Sequence, residues 1–198
     1  MPLQRPAAAD RIATARLVLQ APDAAMSRPV LDFLLRNRAH FAPWDPPMPA
    51  DFLTLRVQRL RLTRAARQFA HGEGFRYWLR LRDDAERIVG QVHFSSVSRG
   101  PFQNAMLGYQ LEQALEGGGY MREALRAGID EMFSEHVHLH RLQAAHLPEN
   151  VRSAAVLARL GFEREGLARN YLFINGAWRD HVLNALVNPA FSGVPVVV

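Results

Sequence analysis

The segment Leu107–Leu125, LGYQLEQALEGGGYMREAL, restricts what this chain can build more than any other. An apolar run ends near Leu111, a short polar link follows, and Gly117, Gly118 and Gly119 stand directly before a helical pattern. In that pattern Met121, Leu125, Ile129 and the pair Met132–Phe133 recur at three- and four-residue steps, as one face of a helix does. A strand, a glycine turn and a helix N-terminus in succession form an arrangement that holds phosphate. Glycine lets the backbone come close to a ligand and adopt positive φ. The first helical N–H groups have no internal partner and lie at the positive end of the helix dipole. A tight connection with no ligand uses the same glycines, so the turn alone decides nothing. Neither Gly-x-Gly-x-x-Gly nor Gly-Lys-Ser/Thr occurs, which argues against a dinucleotide fold and a P-loop.

A second signal lies downstream in Pro148–Phe162, PENVRSAAVLARLGF. Asn150 suits a helix N-cap. Val151, Ala154 or Ala155, Leu157, Ala158 and Leu160 supply an apolar face. Gly161 suits a left-handed stop, and Phe162 opens the next apolar run.

Several classes are disfavoured by composition. The chain has 198 residues, 48% hydrophobic and 22% charged, enough for one domain with its own core. There is no cysteine, hence no disulfide framework, no thiolate nucleophile and no Cys-type zinc site. No run is long and apolar enough for a membrane span, and the first ten residues lack the apolar centre of a signal peptide, so a cytoplasmic location is expected. The formal net charge is +5, and all 24 basic side chains are arginine. Arginine stays charged and makes bidentate phosphate contacts. His136, His138 and His140 have no carboxylate at ligand spacing, so no metal is expected.

Along the chain, Leu17–Leu19 reads as a first strand and Pro29–Arg38 as a short helix. The four prolines of Pro43–Pro49 impose a loop. Asp51 is a candidate N-cap for a long helix to Ala70. Strands follow at Phe75–Leu81, Arg87–Ser95, Met106–Leu111 and His140–His146. A hairpin, Tyr171–Ile174 and Trp178–Leu186, closes around Asn175–Gly176, the strongest short-range hairpin signal. The order suits an α+β fold, a mixed, mostly antiparallel twisted sheet of about seven strands with helices on both faces. Residues 1–13 read as an N-terminal extension, 14–189 as a single domain and 190–198 as a tail, disordered or an added edge strand.

The glycine turn with the Asn-x-x-Ser and Gly-Phe pattern resembles the GNAT superfamily of N-acetyltransferases. Phe41–Trp44 (FAPW), Phe94–Gly100 (FSSVSRG), Leu107–Tyr109 (LGY) and Tyr171–Leu186 (YLFINGAWRDHVLNAL) narrow the likeness to the RimJ branch of the RimJ/RimL ribosomal-protein N-terminal acetyltransferases. It spans Thr14 to Pro189. The resemblance implies a GNAT fold in which a splayed strand pair binds acetyl-CoA as co-substrate. It implies transfer to a protein N-terminal α-amine, plausible acceptors being ribosomal proteins, by direct attack in a ternary complex. A small-molecule amine acceptor, or a non-catalytic binding protein with a weakened CoA site, are the alternatives. No nucleic-acid or membrane contact is required, and the chain would be a monomer or a homodimer.

By the same resemblance, backbone groups of Gln110, Leu111 and Gln113 would hold the acetyl oxygen and the pantetheine arm, Leu111 N–H being the oxyanion donor. Gly117, Gly118, Gly119, Tyr120 and Met121 would cradle the pyrophosphate. Asn150 would serve as cap and ligand. Three positions depart from the family pattern, one of them Gly118, which stands where a basic residue is common. Glu116 replaces the usual Gln or Arg, a repulsion of about 1 kcal/mol unless it turns away or pairs with Arg122. Leu157 replaces a tyrosine acid, which leaves Ser153 either as the thiolate's proton donor or as a helix cap only. Glu73 and Glu112 are the candidate bases. Phe41 and Trp44 are expected to shape the acceptor slot.

Overall fold

The computed structural model describes residues 8–192. Eight strands form one sheet in the order β1-β2-β3-β4-β5-β6-β8-β7. They are β1 (Arg11–Ala13), β2 (Leu17–Gln20), β3 (Phe75–Leu81), β4 (Asp84–Ser98), β5 (Asn104–Leu111), β6 (Arg141–His146), β7 (Glu163–Ile174) and β8 (Ala177–Val187). The helices are α1 (Ser27–Arg36), α2 (Arg38–Phe41), α3 (Leu55–Ala70), α4 (Tyr120–Phe133) and α5 (Val151–Arg159). Every neighbouring strand pair is antiparallel except β5–β6, which is parallel and is joined through α4.

Alternation along β3 gives the sheet two cores. Phe75, Tyr77 and Leu79 face a large cluster that takes Met121, Leu125 and Met132 of α4. Trp78 faces the other way, onto Val30, Phe33 and Leu34 of α1 and Leu62 of α3. Helices therefore cover both faces, as the sequence implies. The buried face of α4, Met121, Ala124, Leu125, Ile129 and Met132, follows the helical spacing of its apolar residues.

Three differences from the sequence reading have local causes. The sheet has eight strands rather than about seven. Arg11–Ala13, placed in the extension, pairs with β2, and Ala21 N–H donates to Asp10 O at 2.8 Å. The long helix begins at Leu55, because the Thr54 hydroxyl and not Asp51 caps it through Val57 N–H; Asp51 instead pairs with Arg56. β7 starts at Glu163, before the expected Tyr171. It is an edge strand paired only with β8 and mostly exposed, so it carries little hydrophobic alternation. The tail 193–198 lies outside the described residues.

Candidate active site

β5 and β6 share a short ladder, Asn104–Leu107 against Arg141–Ala144. Beyond Leu107 they part. Gly108–Leu111 stay paired with β4, while Ala145 and His146 stay paired with β8. The Tyr109 side chain crosses this gap to α5, where its hydroxyl lies 2.7 Å from Ser153 Oγ and donates to Ser153 O at 3.3 Å. Glu112 N–H donates to Val89 O at 2.8 Å on the β4 side. Alternation then turns the backbone of Gln110 to β4 and the N–H groups of Tyr109 and Leu111 into the gap.

The glycine turn closes one end. Gly117 and Gly119 sit at φ 78° and 79°, in the left-handed region that favours glycine, and α4 starts at Tyr120. Among the described residues, no acceptor is found for the N–H groups of Gly117 through Arg122. Arg16 braces the turn from outside. Its Nη1 donates to Gly118 O at 2.8 Å, its Nε reaches Glu123 at 2.7 Å, and its guanidinium lies 4.0 Å from the Tyr120 ring centroid.

Glu116 is paired, with Arg152 at 2.7 Å and with His40 at 3.2 Å, and not with Arg122 as the sequence suggested. The negative charge beside the turn is therefore offset by α5. Arg152→Ala should expose it and weaken acetyl-CoA binding about fivefold, on the scale of ~1 kcal/mol. The double variant with Glu116→Gln should recover the loss, and calorimetric titration reads both. Equal weakening in single and double variants would mean that Arg152 acts on the ligand directly.

The far end of the gap is polar. Asp45, in the proline loop, accepts from Gln110 Nε2 at 2.8 and 2.7 Å. Gln110 Oε1 accepts from Gln91, and Gln91 accepts from Arg76. Burial pushes Asp45 up to about 6, against the opposing pull of Gln110, Arg61 and His40. Burial lowers Arg76 to about 10. Burial, with Arg76 and Arg61 nearby, holds His93 down to about 3, so its ring is neutral at ordinary pH. Tyr109 is raised to about 12, also by burial, and keeps its proton. One cleft of about 1720 Å³ joins both ends, larger than a pocket for one small ligand.

Residues 16–163 match the acetyltransferase (GNAT) domain family. The chain belongs to the GNAT acetyltransferase family. It is 39% identical, over 92% of its length and 93% of the relative's, to an Escherichia coli enzyme, the ribosomal protein uS5-alanine N-acetyltransferase. A Vibrio fischeri ribosomal-protein-S5-alanine acetyltransferase structure superposes with TM-score 0.88 at 34% identity, covering 92% of this chain and 99% of that one. Mycobacterium smegmatis RimJ in complex with CoA-disulfide superposes at 0.82 with 30% identity, covering 90% and 85%. The chain is an acetyltransferase of RimJ/RimL type, and no helix among its described residues is long and apolar enough to cross a membrane.

In this GNAT enzyme the cleft gathers Leu111, Gly117, Gly119, Tyr120, Met121, Asn150, Ser153, Phe41 and Trp44. Asn150 accepts from Ser153 N–H at 3.0 Å as the expected cap, and the Ser153 hydroxyl is left to Tyr109. Phe41 also packs on Phe33 in the α1 core. Five expected residues are placed differently. Glu112 is buried between Arg36 and Arg87 and is not among the residues that line the cleft. Glu73 is exposed in the α3–β3 turn, also away from the cleft. Gln113 N–H is taken by Asn37 Oδ1 at 3.2 Å. Gln110 contributes its side chain rather than its backbone. Gly118 turns its carbonyl outward to Arg16. Sequence reading missed Asp45, Tyr109 as a hydroxyl, Arg16 and Arg152. Only Tyr109, inside the Leu-Gly-Tyr motif, carried any signal.

Proposed function

We propose that this enzyme moves the acetyl group of acetyl-CoA to the N-terminal α-amine of a protein, with ribosomal proteins as the acceptor class. One observation carries the reading: a single cleft has a phosphate-type turn and a hydroxyl pair at one end, a polar floor with Phe41 and Trp44 at the other, and an open strand edge between them. The two S5-type relatives named above support the acceptor class, since each is named as an alanine acetyltransferase of a ribosomal protein.

The residues fit an acetyl-CoA guest. Free N–H groups at Gly117–Met121 suit a pyrophosphate. The Leu111 N–H suits the carbonyl oxygen as negative charge develops on it. Acetyl-CoA supplies the activated acyl carbon and a thiolate leaving group. Tyr109 and Ser153 form a protic pair able to deliver a proton to the departing sulfur. Arg16 and Glu123 keep the turn in place from outside.

The test is a mass-spectrometric assay with acetyl-CoA and hexapeptides beginning with alanine, serine, threonine or methionine. A gain of one acetyl group on a free N-terminus, and none on the same peptide blocked there, is the expected result. Acetylation of a free polyamine in preference to every peptide would transfer the reading to small amines. Failure to bind acetyl-CoA at all would leave a non-catalytic binding protein.

A further inference from the structure

Among the described residues two carboxylates line the cleft, Glu116 and Asp45. Glu116 is already held by Arg152 and His40 at the turn. Asp45 is held by a neutral amide, and the neighbouring Arg61 and His40 act on it through space. The loop fixes its position: Asp45 N–H donates to Phe41 O at 3.0 Å, and Pro46 after it restricts its backbone to extended forms.

The hydrogen-bond chain behind Asp45 has only one possible direction. A guanidinium can only donate, so the Gln91 carbonyl oxygen must be the acceptor that faces Arg76. That turns the Gln91 amide nitrogen to Gln110 Oε1, and the Gln110 nitrogen to Asp45. Asp45 is thereby required to be an acceptor. The Gln110 nitrogen uses one site on each oxygen. A carboxylate has about four such sites, and an ammonium brings three donors.

We propose that Asp45 receives the acceptor's N-terminal ammonium and takes one proton from it, a role that rests on the N-terminal acetyltransferase reading above. The N–H bond breaks, Asp45 becomes the neutral acid, and the amine lone pair attacks the thioester carbon. The C–N bond forms and the C–S bond breaks. The second nitrogen proton passes through the Tyr109–Ser153 hydroxyls to the sulfur. Asp45 then returns its proton to solvent.

This assignment has a pH signature. Ionised Asp45 beside an ammonium holds the same protons as neutral Asp45 beside a free amine. The rate with subsaturating peptide is therefore flat between the two groups' own values, about 6 for Asp45 and about 8 for an α-amine. The groups facing Asp45 are His40 from α2, Arg61 from α3 and Gln110 from β5, with Arg76 and His93 one position behind. The stability effect has the opposite sense to that of a salt bridge. A carboxylate raised above its unfolded value contributes stability in full below the unfolded value and loses it as pH rises through the folded one. At pH 8 the ionised Asp45 is a net cost that asparagine removes.

Asp45→Asn keeps an oxygen for Gln110 and tests the assignment in the full chain with acetyl-CoA and an alanine-ended hexapeptide. Wild type should hold a plateau in kcat/KM from about pH 6 to about pH 8. The variant should lose roughly 100-fold or more at pH 7, with its acid limb moved up to about 8, because only free amine can then react. Its acetyl-CoA affinity should stay within about twofold, and at pH 8 it should melt no lower than wild type. A variant with the wild-type rate and acid limb overturns the proposal. A variant that melts lower and binds acetyl-CoA more weakly in step with its rate makes Asp45 a structural strut, which also overturns it. A wild type that binds acetyl-CoA and acetylates no N-terminal peptide overturns the reading on which the proposal rests.

Discussion

Tyr109→Phe should cost roughly 100-fold in kcat while acetyl-CoA affinity changes by less than about twofold. The substitution removes one oxygen and leaves the ring across the gap. The hydroxyl stands 2.7 Å from Ser153 Oγ, and burial raises Tyr109 to about 12, so it is a donor throughout the neutral range and not a base. A thiolate leaving group needs a proton, and general-acid help of this kind is worth about 10²–10⁴ in rate. Ser153→Ala should give a comparable loss, since each hydroxyl depends on the other. The double variant should be little worse than the poorer single one, because residues acting as a unit are not additive. Single-turnover kinetics separate the chemical step from binding. A silent Tyr109→Phe would reduce the pair to packing.

Gly108→Ala should markedly destabilise the enzyme. A Cβ at this position would lie 2.4 Å from His93 Cε1 and 2.5 Å from His93 Nε2, well inside contact distance. His93 is the direct cross-strand partner of Gly108, and it is enclosed with Arg76 and Arg61 nearby. Its ring therefore has little room to yield. Overpacking of this kind costs about 1–3 kcal/mol, and more where nothing gives, against a total stability of about 5–15 kcal/mol. We expect a loss of about 3 kcal/mol in urea unfolding at constant slope. Combining it with His93→Ala should return part of that loss, since the clash and the ring disappear together. Unchanged stability in Gly108→Ala would mean that the His93 ring swings away at little cost.

What the sequence disclosed and what it withheld follow from the range of the interactions. Asn150 caps α5 through Ser153, Asn175–Gly176 turns the last hairpin, and Gly117–Gly119 end at a helix start, all within a few residues. Such features have local spacing that can be read directly. Asp45 has none: between prolines it resembles any loop aspartate, and its meaning depends on Gln110, 65 positions away. Arg16 reaches Gly118 across 102 positions, and Arg152 reaches Glu116 across 36. Glu112 misled for the opposite reason. It sits beside the splayed strand in sequence, yet the strand's end turns its side chain to Arg36 and Arg87. β1 and the first half of β7 were missed because edge strands half in water lack the apolar alternation that marks buried ones.

The short β5–β6 ladder has a consequence for the whole molecule. The sheet is two leaves, β1–β5 and β6–β8, whose backbones share four residue pairs, while one core cluster takes Leu107 from one leaf and Leu142 and Ala144 from the other. Past Leu107 the two backbones part, so the mouth of the gap has fewer shared bonds than its root, and regions with few shared bonds open first. A guest that reaches Leu111 on one leaf and Asn150 and Ser153 on the other, as proposed above, would tie the leaves together. At a hundredfold excess over its Kd it would add about 2.7 kcal/mol to the bound form. The expected readout is slower hydrogen exchange at Gly108–Leu111 and at Ala145–His146 in the loaded protein than in the free one.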